Sequence, residues 1–156
     1  MPLDIFQATI NNVVSLQRIF ENTWENDYSG HYTLGLVEAV LKFDNTAAAW
    51  ERELNKTDGR LFLAQVNGEH VGLAGLCGTE VGRVGVLSSS RGTGAGRSLM
   101  EHIFSEARAA GHKIVWCDAS LQAINFYRHL GFETIKAIEK TVYGHPMPME
   151  TMVRVL

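Results

Sequence analysis

The residues best suited to chemistry fall in two short stretches. The first is Arg91-Gly-Thr-Gly-Ala-Gly96, between an apolar run ending at Leu87 and an amphipathic segment that begins after Gly96. A strand that passes through a glycine-rich turn into a helix makes an anion site. The first helical turn leaves backbone N–H groups unpaired and carries roughly half a positive charge from the aligned peptide dipoles. Glycines let that backbone come close to phosphate oxygens. Two nucleotide patterns fit poorly. A Walker A loop ends in Gly-Lys-Ser/Thr, whereas Gly96 is followed by Arg97-Ser98. A dinucleotide fingerprint starting at Gly92 places Arg97 where its third glycine belongs, although Asp118 stands at the distance of a ribose-binding acid. The second stretch, Ala123-Ile-Asn-Phe-Tyr-Arg-His-Leu-Gly-Phe132, carries the phenol of Tyr127 on a short helical segment.

The pattern of apolar residues predicts the elements that position these groups. A strand over 4–9 leads to Asn11 or Asn12 as a helix cap, and Val13, Val14, Leu16, Ile19, Phe20 and Trp24 follow at helical spacing. Residues 27–31 read as a loop. Helical pieces over 34–41 and 46–54 come next, with Asp44 as the cap of the second. Strands over 61–66 and 69–75 flank Asn67-Gly68, a pair suited to a type I′ turn, in which both central residues need φ > 0. A strand over 79–87 enters the glycine loop. Beyond it Leu99, Ile103, Phe104 and Ala107 share one helical face, with Gly111 as the C-cap. A buried strand over 112–117, a helix over 122–130 and strands over 134–142 and 150–155 complete the chain, the last two joined by Gly144-His-Pro-Met-Pro148. This order predicts one α+β or α/β domain over residues 1–156, a mixed sheet with helices on its faces.

Composition narrows the function classes. The chain is 46% hydrophobic and 20% charged, which suits one folded core and excludes a disordered or repetitive protein. Fourteen Lys+Arg against 17 Asp+Glu leave a net charge of −3, so no basic field points to a nucleic-acid partner. Cys77 and Cys117 are too few for a disulfide scaffold, and six scattered histidines lack paired ligand spacing, so no metal is expected. No apolar run approaches the roughly 20 residues that span a bilayer. The start, Met-Pro-Leu-Asp, has no basic region leading into an apolar stretch, so no signal peptide or membrane partner is expected and the setting is read as cytoplasmic.

Arg91-x-x-Gly94-x-Gly96, following Val84-Gly-Val-Leu87, resembles the Arg/Gln-x-x-Gly-x-Gly/Ala signature of the GNAT superfamily, the acetyl-CoA-dependent N-acetyltransferases. The 123–132 stretch is similar to that family's Ala-x-x-Phe-Tyr-x-x-x-Gly-Phe segment, and Trp24-x-x-x-Tyr28-Ser-Gly30 resembles one of its branches. The chain departs from the pattern at Ser120, where the family often has Asn.

The resemblance implies the GNAT fold, with a mostly antiparallel central sheet and helices on both faces. It implies acetyl-CoA as cosubstrate, entering a V-shaped opening between the strands that end near Leu87 and Cys117. Arg91, Gly92, Thr93, Gly94, Ala95 and Gly96 would surround the pyrophosphate, and the backbone of Val86 and Leu87 would pair with the pantetheine arm. The acceptor would be a primary amine attacking directly, on a small molecule or amino acid, with a protein N-terminus or lysine as the alternative. An alkylammonium with a pKa near 10.4 is only about one part in a few thousand neutral at pH 7, so a general base, or a proton path to water, is useful. Glu80 matches the family's base position and, by period-two parity, shares a strand face with Val86. Tyr127 matches the leaving-group position, where its hydroxyl would hydrogen-bond the developing thiolate. Trp24, Tyr28 and His31 would line the acceptor side. A homodimer through the C-terminal strands is also implied, with apolar surface supplied by Met147 to Met152. Two other readings stay open: a non-catalytic acyl-CoA-binding or regulatory module on the same fold, and a nucleotide-dependent oxidoreductase.

Overall fold

The computed structural model describes residues 3–156; Met1 and Pro2, the start of the span read as one domain, lie outside the described residues. Seven strands form one sheet in the order β1-β2-β3-β4-β5-β7-β6. They are β1 (Leu3–Gln7), β2 (Gly59–Val66), β3 (Glu69–Cys77), β4 (Glu80–Val86), β5 (Ile114–Ser120), β6 (Glu133–Val142) and β7 (His145–Val155). Among the described residues only β4 and β5 run parallel. The helices are α1 (Val13–Thr23), α2 (Leu34–Asp44), α3 (Ala47–Leu54), α4 (Ala95–Ala109) and α5 (Ile124–His129). Gly85 of β4 lies under Thr23 of α1, whereas Gly72 of β3 lies under Leu99 of α4. Because Gly72 pairs with Val86, the neighbour of Gly85, α1 and α4 cover opposite faces of the sheet. This is the layered, mostly antiparallel architecture expected.

The edges of several elements differ from the sequence reading, each for a local reason. Thr46 caps α3, its Oγ1 accepting from the Ala49 N–H at 3.1 Å, and Asp44 is the last residue of α2. Neither Asn11 nor Asn12 caps α1 with its side chain. Instead Thr9 and Asn12 bond each other reciprocally around a 3-10 turn at Ile10–Asn12. Of residues 27–31, read as a loop, Asp27 and Tyr28 belong to a wide π-helical turn, Trp24–Tyr28, that continues from α1, and 29–31 form the turn after it. The last hairpin turns at Tyr143-Gly144, with φ of 49° and 78°, so it is the same positive-φ turn as Asn67-Gly68 at 50° and 79°. Pro146 and Pro148 therefore lie inside β7. They are tolerated because β5 pairs with β7 only from Met149 onward, leaving that side of both prolines without a partner strand. There the Pro148 carbonyl accepts the Tyr32 hydroxyl at 2.8 Å. The methionines do not offer the apolar surface expected for pairing of two copies: Met147 and Met152 are 7% and 0% exposed, and Met149 packs against the core.

The opening in the sheet is the feature that matters for function. Strands β4 and β5 meet at a single pair, Glu80↔Trp116, and separate beyond it. Between Gly82↔Gly75 and Gly85↔Leu73, β4 has two residues, Arg83 and Val84, against one, Ala74, on β3. Arg83 takes φ of 55° there. Such a bulge bends the strand that carries it and leaves a gap beside its neighbour. The bulge also brings Gly85 so close to α1 that a Cβ would stand 2.6 Å from Thr23 Oγ1, and Thr23 is 6% exposed. Gly85→Ala should therefore cost about 1–3 kcal/mol in urea unfolding, as overpacked sites do. Adding Thr23→Ala should recover most of that loss. Losses that simply add would show that this contact is not the constraint.

Candidate active site

A cleft of about 930 Å³ runs through the gap between β4 and β5. On the α4 side it is walled by Arg91, Gly92, Gly94, Ala95, Gly96, Phe126 and Tyr127. On the α1 side it is walled by Phe20, Trp24, Asp27, Tyr28, His31, Val40 and Asp44. The β6–β7 hairpin closes it with Val142, Met147 and Met149. Trp24, Tyr28 and His31, predicted from sequence for the acceptor side, all face this space.

The glycine loop meets the requirements of an anion site. Gly94 sits at φ 86° as the N-cap of α4, and no atom lies within 4 Å of where its Cβ would be. The positive φ, not crowding, calls for glycine there. Gly96 is different: a Cβ would lie 3.1 Å from Phe126 Cε1, so its absence lets that ring rest on the first turn. No side chain caps α4, and its first turn holds no acid. Its leading N–H groups are free for an incoming anion.

Backbone geometry divides the remaining predicted cofactor residues. The Leu87 N–H donates to Val71 O at 2.8 Å, which makes Val71 and Leu87 a hydrogen-bonded pair and Gly72 and Val86 a non-bonded one. The N–H and C=O of Val86 consequently point away from β3, into the gap. Leu87 does not share this role. Its N–H is spent on Val71, its carbonyl accepts from the Ser90 N–H at 2.9 Å, and its side chain is 4% exposed in the core. Thr93 is turned away as well, its Oγ1 donating to Ser90 O at 2.5 Å, and it does not line the cleft.

Glu80 is not brought to the cleft. The extra residue at the bulge breaks period-two parity, so Glu80 falls on the α1–α3 face while Val86 faces α4. Glu80 lines a separate recess of about 170 Å³ with Glu53, Lys56 and Arg60. Arg83 borders both spaces and stands between them, held by Glu53 at 3.0 Å and laid over the rings of Trp50 and Phe20 at 5.1 and 5.8 Å.

Tyr127 is 5% exposed and packs edge-on against Phe126 and Phe132. Burial, with smaller contributions from Cys117 and Tyr28, raises its phenol well above the ordinary value of 10.0, so it is a hydrogen-bond donor at any working pH. Tyr28 stacks on Trp24 with ring centroids 3.9 Å apart. Burial raises its phenol too, and hydrogen bonds from the Ser120 and Gln122 side chains oppose that in part. Gln122 Nε2 in turn donates to Ser120 Oγ at 2.6 Å. Ser120, the departure from the family's pattern, thus belongs to a polar cluster beside the two tyrosines. Asp118 cannot serve as a free ribose acid. Although partial burial opposes its charge, Lys140 Nζ at 2.8 Å and Thr151 Oγ1 at 2.6 Å hold its carboxyl below the ordinary range.

Asp27 escaped the sequence reading as a site residue: its ion pair with Arg91 joins two walls of the cleft, a contact between residues far apart in the chain that carries no local signal. Met147 and Met149, two apart on a strand, could have been found by period-two spacing. Among the described residues no group of His, Cys, Asp or Glu could hold a metal ion, and no helix is long and apolar enough to cross a membrane.

Neither cysteine is arranged as a nucleophile. Cys77 is exposed and outside the cleft. Cys117 is 1% exposed, and burial, reinforced by the charges of Asp118 and Glu80, pushes its thiol up to about 12. Iodoacetamide at pH 8 should therefore add one label to the native protein, at Cys77, and two after denaturation, because the thiolate is the reactive form. Rapid native labelling of Cys117, read by peptide mass spectrometry, would reverse this assignment.

Comparison with known proteins places this geometry. The acetyltransferase (GNAT) domain family matches residues 26–152. No match is found among curated protein sequences. A GCN5-related N-acetyltransferase from Rhodopseudomonas palustris, also described as a class-II aminotransferase, has the same fold with a TM-score of 0.92 at 21% identity, over 100% of this chain and 97% of that one. The PaiA N-acetyltransferase of Thermoplasma acidophilum, solved with coenzyme A, superposes with a TM-score of 0.83 at 15% identity over the whole of both chains. A ribosomal-protein-alanine N-acetyltransferase from Brucella melitensis reaches 0.69 at 22% identity, over 98% of this chain and 99% of that one. The family match spans the gapped sheet, the glycine loop and Tyr127 together, and the chain belongs to the GNAT acetyltransferase family.

Proposed function

We propose that the protein moves the acetyl group of acetyl-CoA to a primary amine by direct attack, without a covalent enzyme intermediate. One observation carries this reading: the uncapped N-terminus of α4 and the buried phenol of Tyr127 border the same cleft through the sheet. The residues suit each part of the cosubstrate. Free N–H groups at Gly94, Ala95 and Gly96, with the Arg91 guanidinium beside them, suit the pyrophosphate. The outward N–H and C=O of Val86 suit an amide-bearing arm laid along β4 as an added strand. The same fold holds coenzyme A in the Thermoplasma protein.

In the reaction the neutral amine's nitrogen bonds to the thioester carbon, the carbon–sulfur bond breaks with its electron pair leaving on sulfur, and the proton lost from nitrogen passes to solvent water in the open cleft. Tyr127 donates a hydrogen bond to that sulfur as charge develops. Its raised pKa keeps the proton on the phenol, so it stabilises the thiolate without surrendering the proton outright. The high pKa of Cys117 supports direct attack over a thiol-linked route. Both cysteines are unpaired, which suits a reducing, cytoplasmic setting.

The acceptor is read as a small amine or amino acid. The Tyr143 hydroxyl donates to Asp44, the rings of Tyr143 and Phe43 lie 5.1 Å apart, and His145 packs on Gly35. The hairpin is thereby clasped to α2 beside the cleft, which favours a small acceptor. Every group named comes from one chain, so the reading needs no second copy.

Tyr127→Phe removes one hydroxyl and keeps the ring. Calorimetry should show unchanged CoA affinity, while kcat measured by release of free CoA should fall by about 10² or more. Turnover equal to the parent would make the phenol a packing group. CoA binding without turnover on any of a panel of amines would instead mark a non-catalytic binding module.

A further inference from the structure

We propose that Asp27 receives the acceptor's ammonium group, and that Arg91 covers it until the pyrophosphate of acetyl-CoA draws the guanidinium away. This rests on the acetyl-transfer reading. Arg91 leaves the glycine loop and pairs with Asp27 of the π-helical turn, so one ion pair joins the cofactor wall to the acceptor wall. Its two ends are unequal. The Arg91 side chain is 50% exposed and free to swing, whereas that of Asp27 is 14% exposed.

A pyrophosphate offers an arginine two phosphate groups and a larger negative charge in place of one carboxylate, and its oxygens suit the guanidinium fork. The carboxylate left behind, 14% exposed while Arg91 lies over it, then faces the cleft without its partner. A second cation would restore the pairing. The acceptor brings one into the same cleft. Arg91 then pairs with phosphate and Asp27 with the ammonium, which gives a proton to solvent water in the cleft before its nitrogen attacks, so that no charge is left alone on binding. The charge of Asp27 acts on the Tyr28 phenol, and Tyr28 in turn acts on that of Tyr127, and all three line the one cleft, so a cation held by Asp27 lies toward the phenol that serves the leaving sulfur.

The other carboxylates of the cleft lack this property. Asp118 is held by Lys140 and Thr151, and Asp44 by Tyr143, none of which belongs to the cofactor loop. Only Asp27 has as its partner a cation that the cosubstrate would recruit. The consequence is positive coupling: acetyl-CoA should strengthen amine binding, and by linkage the amine should strengthen CoA binding by the same factor.

The test measures CoA affinity by calorimetry for the parent, Asp27→Asn, Arg91→Gln and the double variant, each checked for folding by circular dichroism. Asp27→Asn should tighten CoA about threefold to tenfold, because Arg91 no longer leaves a carboxylate to reach phosphate. In the Arg91→Gln background the same change should have little effect. With n-butylamine and glycinamide as probe amines, Asp27→Asn should raise KM about tenfold or more and lower kcat far less. Unchanged KM for an amine that turns over, or a CoA gain that persists without Arg91, would overturn the proposal and leave acetyl transfer standing. A parent that binds CoA but acetylates neither probe, or that does not bind CoA, would remove the transfer reading and this proposal with it.

Discussion

The separation of β4 from β5 is the constraint on which the rest of this structure depends. After the single pair Glu80↔Trp116, half of the backbone groups of β4 lose their strand partner in the middle of a seven-stranded sheet. Buried N–H and C=O groups do not stay unpaired without cost, so such an opening calls for water or for an extended ligand. The bulge beside it places Arg83 at φ 55°, a conformation that non-glycine residues seldom adopt. Glu53 and the faces of Trp50 and Phe20 hold the Arg83 side chain on that strained turn. Strain retained at one strand, with dedicated contacts to keep it, fits a site better than a packing accident.

Around the gap, charge is arranged so that the cofactor wall carries the unmatched positive potential. Most of the ionic groups along the cleft are matched within the chain: Asp118 with Lys140, Arg83 with Glu53, Asp27 with Arg91. The N-terminus of α4 has no acid to neutralise it. A polyanion is therefore attracted to one end, and the apolar wall of Phe20, Trp24, Val40 and Met147 at the other suits the body of a small acceptor. Tyr127 and Tyr28 lie between them with both phenols protonated, as donors where charge would develop.

Much of this was legible in the sequence. Apolar periods of 3.6 and 2 located the helices and strands, Asn67-Gly68 announced its turn, and Gly94 and Gly96 marked the loop, because each of those signals is local. What stayed hidden depends on a single inserted residue or on a distant partner. The β4 bulge falls at Arg83, not at a glycine, so nothing warned that Glu80 and Val86 would face opposite ways. The wide turn at Trp24–Tyr28 keeps an i, i+4 aromatic pair, which an α-helix would show equally well. Pro146 and Pro148 looked like a turn because proline breaks a strand only where a neighbour needs its N–H, and here no neighbour does. Leu87 lost its expected role to Val71 and Ser90, backbone partners that no side-chain pattern reveals.

If the gap and the loop together hold coenzyme A, thermal unfolding should tell CoA from NAD, since both carry a pyrophosphate but only CoA has an arm to fill the gap. At a hundredfold excess over Kd, CoA should add about 2.7 kcal/mol of stability and raise Tm by several degrees, while NAD should leave it unchanged. Stabilisation by NAD with none from CoA would contradict the account.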